Sequence, residues 1–131
     1  MKTHVFRLHP GDDLRNEIAA YAKAHHIKAA VILSCVGSLS CLRLRDASGV
    51  NIRKIHEEFE IVSATGTVGM DRMHIHLSCS REDLTTLGGH LTEGCIIKTT
   101  AEIVLLEMDG LHFCKVFDPQ TGYNELNILH E

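Results

Sequence analysis

One stretch of this sequence has the spacing of an amphipathic helix, whereas strand-like alternation fills much of the rest. In that stretch the apolar side chains from Leu14 to Ala22 form one stripe, which predicts one main helix over residues 12–26. Residues 3–9 and 96–106 instead alternate between apolar and polar side chains, as half-buried strands do. The pattern predicts an α+β fold, a largely antiparallel curled sheet of about seven strands with one main helix.

Polar residues predict where the helix begins and ends. Asp12 or Asp13 can cap its N-terminus, and His25 and His26 are placed to interact favourably with its C-terminus. A second, short helix is expected near residues 81–87.

Glycine-containing pairs predict two turns in the sheet. The apolar run over residues 29–36 indicates a strand covered on both faces, and Gly37-Ser38 predicts a turn after it. Asp109-Gly110, between two β-branched runs, predicts a hairpin that joins them. One helix can hardly cover about seven strands, so the sheet is expected either to curl like a barrel or to pack against another subunit.

Length and charge restrict the classes of protein that fit. A chain of 131 residues predicts a single domain, residues 1–131. Its 17 acidic side chains outnumber 13 basic ones and give a formal charge of −4. Phosphate neutralisation by Lys and Arg supplies most non-specific affinity for DNA, so this balance argues against a polyanion-binding surface over much of the molecule.

Apolar runs and cysteines bear on the compartment. No apolar run suits a signal peptide or approaches the roughly 20 residues of a membrane span. The five cysteines are odd in number and form no C-x-x-C pair, which predicts reduced, mostly buried thiols. We therefore expect a cytoplasmic protein that does not interact with membranes.

The segment MHIHLSCSREDLTTLGGH suggests a metal site. His74 and His76 lie two residues apart on a predicted strand, so their rings share one face, and His90 follows the pair Gly88-Gly89. Three neutral imidazoles and a water are typical of an open zinc site, in which the pKa of the water falls to about 7. Hydrolysis or hydration is then chemically accessible, although the sequence does not establish a reaction. The alternative interpretation is three histidines on a polar strand face or at a subunit contact.

Glu60 is a weak candidate for a catalytic base or for a group that orients an imidazole. It lies in EFEIVSATG, a strand that we expect to neighbour the histidine strand, since a short turn joins them. The other interpretation is an outward-facing strand residue. No nucleotide-binding glycine motif or nucleophile elbow is present, so no cofactor-binding residues other than metal ligands are predicted.

Several segments together resemble the plant and prokaryote conserved (PPC) domain. They cover roughly residues 3 to 118, in the family's order and spacing: RLHPGDDLRNEIAAYAKAHHIKAAVILSCVGSLSCLRLR, EFEIVSATGTV, HIHLS and GGHLTEGCIIKTTAEIVLLE. The resemblance implies a stand-alone prokaryotic member that assembles as a homotrimer. It also implies that His74, His76 and His90 bind a metal, commonly taken as zinc, although another divalent transition metal would suit the same ligands.

The same resemblance brings an alternative function. In plants the domain follows AT-hook segments in nuclear proteins that bind AT-rich DNA, and prokaryotic members are often labelled DNA-binding by association. This sequence contains no R-G-R-P hook, so the residues that would read a minor groove are missing. The sequence therefore predicts a trimeric metal-binding protein that binds or acts on a small molecule, with a DNA-associated protein as the alternative.

Overall fold

The computed structural model describes residues 1–131 and contains one α-helix and nine β-strands. The helix α1 spans Leu14–Ala24. The strands are β1 (Lys2–Leu8), β2 (Ala30–Arg45), β3 (Ile52–Ile55), β4 (Phe59–Val68), β5 (Met73–Ser80), β6 (Thr86–Leu91), β7 (Ile96–Glu107), β8 (Leu111–Asp118) and β9 (Tyr123–His130). Seven strands form one sheet and β8 pairs with β9 in a second. All strand pairs are antiparallel, which confirms the predicted fold class.

Helix α1 begins and ends close to the predicted residues. Asp13 is the N-cap, and its carboxylate accepts a hydrogen bond from the backbone N–H of Asn16 at 3.0 Å. His25 is the C-cap, and its Nδ1 lies 3.1 Å from the carbonyl oxygen of Tyr21. The apolar stripe packs against the sheet and is buried at Leu14, Ile18 and Ala22.

The large sheet curls back on itself. Its order is β1-β7-β2-β4-β5-β6, and β6 also pairs with β2, so β2, β4, β5 and β6 close a ring. This confirms the predicted curl. The prediction of a turn at Gly37-Ser38 is wrong, because both residues lie within β2, which is 16 residues long. Gly37 pairs there with Ile61 on one side and with Ala101 on the other. The register of β2 with β7 shifts between Gly37 and Leu39, which lets the strand bend without a turn.

Two other local predictions are also wrong. Asp109-Gly110 does form a turn, with Gly110 at φ 73°, but β7 and β8 do not pair. Both edges of β7 are already occupied, by β1 and β2, so β8 pairs with β9 instead. Residues 81–87 contain no helix: a turn over residues 81–85 leads directly into β6, which is held between β5 and β2.

One cluster of 22 buried residues forms the core, and it contains Cys35, Cys79 and Cys95. All five cysteines are free thiols and four are buried, as predicted. The prediction that residues 29–36 are covered on both faces is wrong for a single chain, since Leu33 is 59% exposed and Val36 is 50% exposed. The one helix is too short and too polar to span a bilayer.

Candidate metal centre

A row of paired residues across three strands places the predicted histidines together. His76 on β5 lies opposite His90 on β6, and His90 lies opposite Arg45 at the end of β2. Residues directly opposite each other present their side chains to the same face of a sheet. His74 shares that face because it lies two residues from His76 on β5. The closure of β6 onto β2 therefore brings the third histidine to the first two.

The distances among the three rings suit a shared ion. The Nε2 atoms of His74 and His76 are 3.2 Å apart, and one ligand nitrogen from each of the three rings lies within 4.8 Å of the others. Two imidazole nitrogens bound tetrahedrally to zinc at about 2.0–2.1 Å would be about 3.3–3.4 Å apart. The pair from β5 is already at that spacing, and His90 has only a short way to move.

None of the three rings has a hydrogen-bond partner outside the group. His74 and His76 face only each other, and the Nδ1 of His90 is buried without any partner. A buried polar atom without a partner is costly, and native structures usually satisfy it. A metal ion would satisfy all three rings at once, so the residues present fit such an ion.

Burial and nearby positive charge keep the imidazoles of His74 and His90 neutral. Burial lowers the pKa of His90 to about 4, and the guanidinium of Arg45 adds to the effect. Burial also lowers the pKa of His74, together with the ring of His76 and the guanidinium of Arg72. The neutral imidazole is the form that coordinates a metal, so the electrostatics prepare this site for a cation ligated by nitrogen.

Gly88 and Gly89 allow the close backbone approach that the sequence suggested, although they lie within β6 and do not form a bend. A Cβ at Gly88 would lie 2.3 Å from the carbonyl oxygen of Leu77, and one at Gly89 would lie 2.6 Å from that of Arg45. Larger residues would therefore push β6 away from β5 or from β2. The position of His90 depends on both glycines.

Glu60 does not join the histidines. Its strand β4 does neighbour the histidine strand, as expected, but Glu60 lies opposite Ser80, whereas Thr65 lies opposite His76. Five residues along a strand correspond to roughly 16 Å. The structure thus brings the three histidines together and leaves Glu60 at the other end of the strand.

A pocket of about 480 Å³ opens beside His74 and His90. Its walls come from α1, the end of β2, the turn before β5, and the two-stranded sheet of β8 and β9, which we call the C-terminal hairpin. Sequence reasoning did not assign Arg45 or Arg72 to this site. The alternation in LRLR placed Arg45 on a charged face, but only the closure of the sheet shows which face that is.

A second histidine contact lies on the edge strand β1. His4 on β1 is buried, with its Nε2 2.7 Å from a carboxylate oxygen of Glu107 and its Nδ1 3.2 Å from the hydroxyl of Tyr21. Its burial agrees with its strand parity, since His4 shares a strand face with Phe6 and Leu8.

The chain is similar to several known proteins. Two curated relatives from Synechococcus, both called bifunctional protein GlmU, are 42% and 40% identical to it over 98% of its length. The chain spans only about a fifth of the length of these relatives. A hypothetical protein from Salmonella enterica has a solved structure that is 32% identical, with a TM-score of 0.96, over 99% of this chain and 94% of that one.

Two further solved structures share the fold. The metal-containing protein AF0104 from Archaeoglobus fulgidus is 27% identical, with a TM-score of 0.81, over 97% of this chain and 94% of that one. A protein from Bacteroides thetaiotaomicron, named as a candidate DNA-binding protein, is 21% identical, with a TM-score of 0.85, over 95% of this chain and 91% of that one. At that identity the second similarity shows the fold alone.

The family match covers most of the chain and agrees with the resemblance found in the sequence. Residues 1–109 match the model of the family described as the Plants and Prokaryotes Conserved (PCC) domain. The match ends before β8, so the C-terminal hairpin lies outside it. The chain therefore belongs to the plants and prokaryotes conserved domain family.

Proposed function

We propose that this protein is a homotrimer in which each chain holds zinc, or another divalent transition metal, through His74, His76 and His90, and that it binds a small molecule beside the metal. The observation that carries the proposal is the group of three imidazole nitrogens within 4.8 Å of one another, with no hydrogen-bond partner outside the group. All three ligands come from one chain. Three ligands leave a coordination position open, which distinguishes this set from a closed structural site.

Two further observations support a metal. The pKa of His90 and that of His74 are both lowered, so the rings stay neutral and available as ligands. A structural relative that is 27% identical over most of both chains is a metal-containing protein. When bound, such an ion would supply Lewis-acid chemistry at its open position. The proposal is one of binding, because the three histidines alone do not position a substrate.

Elemental analysis of the purified protein tests the metal proposal. We expect about one zinc or other transition-metal ion per chain in the wild type. His76→Ala should reduce the content nearly to zero, because two imidazoles and solvent hold a divalent ion weakly. His56→Ala is the matched control, since His56 is exposed and its side chain makes no hydrogen bond. Equal metal content in His76→Ala and the wild type would refute the site.

The proposed trimer has its own support in the exposed apolar side chains. Leu33, Val36 and Val62 lie on β2 and β4 and are each at least half exposed in the single chain. The register of β2 with β4 places Val36 opposite Val62, and neighbouring exposed apolar side chains commonly mark a subunit contact. Light scattering at micromolar protein concentration should give three times the mass of the chain, and a monomer would contradict the trimer without affecting the metal proposal.

DNA association is the alternative function, and one observation favours it. Five basic side chains that form no ion pair lie around the pocket beside the histidines. Phosphate contacts would give an affinity for an AT-rich duplex that falls steeply with salt. Binding measured at two salt concentrations decides the matter, because salt-independent or undetectable binding excludes a phosphate-contacting surface.

A further inference from the structure

The pocket beside His74 and His90 concentrates positive charge in a chain whose formal charge is −4. Five of the 13 basic residues line it: Arg15, Lys23, Arg45, Arg72 and Lys115. Only two carboxylates, those of Asp71 and Glu125, share the lining. Asp71 is already held by the ring of His112, at 2.6 Å. The pocket therefore carries an excess of cations that surrounding carboxylates do not neutralise.

These cations have few partners inside the protein. None of the five lies within ion-pair distance of a carboxylate, whereas Lys28, Arg53, Arg81 and Lys98 elsewhere in the chain all form ion pairs. The Nε of Arg45 is buried and has no hydrogen-bond partner. Arg72 makes one side-chain hydrogen bond, from Nη1 to the hydroxyl of Thr67 at 3.3 Å. Several N–H donors are thus free to bind an anion.

Guanidinium groups are suited to particular anions. The planar fork of Arg donates two parallel hydrogen bonds to a carboxylate or a phosphate, and a partly buried site strengthens both. Arg45 lies opposite His90 in the sheet and Arg72 lies two residues before His74, so both are close to the histidines. An anion held by the two arginines would therefore lie next to the three-histidine group.

The shape of the pocket favours a small molecule over a nucleic acid duplex. Its volume of about 480 Å³ falls within the range of roughly 300–1,000 Å³ that small-molecule sites occupy. The C-terminal hairpin lines it with Lys115, Tyr123 and Glu125, and helix α1 lines it with Arg15 and Lys23. A cleft between a helix and a hairpin encloses a compact ligand, whereas a duplex needs an open convex or grooved surface.

We propose that this pocket binds a small organic anion, whose carboxylate or phosphate is held by Arg45 and Arg72 and whose other end reaches the three-histidine group. The contact with the histidine group rests on the proposed metal function, whereas the contact with the arginines does not. The C-terminal hairpin, which lies outside the family match, then determines which anions fit. Family members with a different hairpin would select different ligands at the same arginines.

Calorimetric titration of the purified protein tests this assignment with three probes: glycerol 3-phosphate, succinate and uncharged glycerol. The two anions separate a preference for phosphate from one for carboxylate. We expect at least one anion, and not glycerol, to bind at submillimolar to millimolar concentration. Arg72→Gln should weaken binding by about tenfold or more, because it removes a charge-assisted hydrogen bond, and Lys115→Gln should weaken it less, because it removes only a positive charge from the lining. Lys115 is exposed, so its replacement should leave folding intact.

Arg7→Gln is the matched control, since Arg7 also donates to a threonine hydroxyl, that of Thr100 at 3.0 Å, but lies away from the pocket. Equal affinity in the wild type, Arg72→Gln and Lys115→Gln would overturn the assignment, and so would binding of neither anion. A short DNA duplex that binds through the same residues and displaces the anion would also overturn it, in favour of the alternative function.

Metal content, measured on the same samples, separates the two proposals. If the purified wild type contains no metal but binds an anion that Arg72→Gln does not bind, the metal centre is refuted and the anion pocket is supported. A full complement of metal in Arg72→Gln, with anion binding lost, would support both. Metal in the wild type without binding of either anion would refute the pocket alone.

Discussion

The molecule contains two histidine clusters, one on the edge strand β1 and one where β5 and β6 close onto β2, and they differ in what surrounds the rings. At β1 and β7, His4 has a partner on each ring nitrogen, the carboxylate of Glu107 and the hydroxyl of Tyr21. At β5 and β6, His74 and His76 face each other, and His90 has a buried nitrogen with no partner. The first cluster is complete within the chain, whereas the second lacks a ligand that the chain does not supply.

Packing around the two clusters follows the same division. His4 is only 4% exposed, and its partner Tyr21 is stacked between Phe6 and His25, with ring centroids 3.9 Å apart on each side. His90 borders a pocket of about 480 Å³ and lies opposite Arg45. Buried polar networks in which every member is satisfied make a fold rigid, whereas unsatisfied polar groups beside a cavity indicate a binding site.

The comparison teaches how to distinguish a structural histidine from a ligand. Burial alone does not distinguish them, because the most buried imidazole in the chain, that of His4, is the one with a structural role. The hydrogen bonds of the ring do distinguish them, since a histidine bonded at both nitrogens has no lone pair available to a metal. Changes at the first cluster should therefore affect stability, and changes at the second should affect binding.

The largest expected effect is the loss of stability on replacing His4. His4→Ala removes two hydrogen bonds, leaves the partly buried carboxylate of Glu107 without its partner, and opens a cavity beside Tyr21. We expect the free energy of unfolding to fall by about 3 kcal/mol. Urea denaturation of the chelator-treated protein measures it.

The same variant should keep its metal, because His4 lies on β1, which pairs with β7 and not with the strands that carry the three histidines. His9→Ala is the control for stability, since His9 is exposed just after β1 and its ring makes no hydrogen bond. Unchanged stability in His4→Ala, or loss of metal from it, would break the distinction between the two clusters.

The sequence predicted local structure well because local structure depends on neighbours along the chain. Asp13 caps the helix through the N–H of a residue three positions later. The shared face of His74 and His76 follows from the two-residue period of a strand. Membership of the family, the main helix and the antiparallel curled sheet were likewise predicted correctly, whereas the short helix expected near residues 81–87 is absent.

Apart from the short helix near residues 81–87 and the turn at Gly37-Ser38, the failures concern which strand lies beside which. Asp109-Gly110 forms its turn, but the pairing of β7 with β1 and β2 decides that no hairpin follows. Arg45 and His90 are 45 positions apart, and His4 and Glu107 are 103 apart, so no local pattern links them. Such contacts arise only when the curled sheet closes, and one sequence does not encode that closure in any short window.

A smaller effect is expected where the metal centre depends on backbone rather than on ligands. A Cβ at Gly89 would lie 2.6 Å from the carbonyl oxygen of Arg45, so Gly89→Ala should push β6 from β2 and displace His90. We expect metal affinity to fall about tenfold, equivalent to about 1.4 kcal/mol, although all three ligands are present. Competition with a chromogenic chelator measures it.

Gly11→Ala provides the control for that measurement. Gly11 has φ 90° and no atom within 4 Å of a Cβ, so the substitution should cost stability through backbone strain and leave metal affinity unchanged. Wild-type affinity in Gly89→Ala would show that the site does not need the close approach of β6 to β2.

The smallest expected effect is a pH dependence of stability that belongs to His90 in the metal-free protein. Burial lowers the pKa of His90 to about 4 in the folded chain, against about 6.5 when unfolded. Between these values the unfolded chain binds a proton that the folded chain does not, so the free energy of unfolding falls as pH drops from 6.5 towards 4. His90→Asn should make this decline shallower.

Asp46 and Asp83, whose pKa values lie below the usual range, affect the free energy of unfolding only at lower pH. Urea denaturation of chelator-treated protein across this interval measures both slopes, and equal slopes in His90→Asn and the wild type would show that the surroundings of His90 do not keep its imidazole neutral.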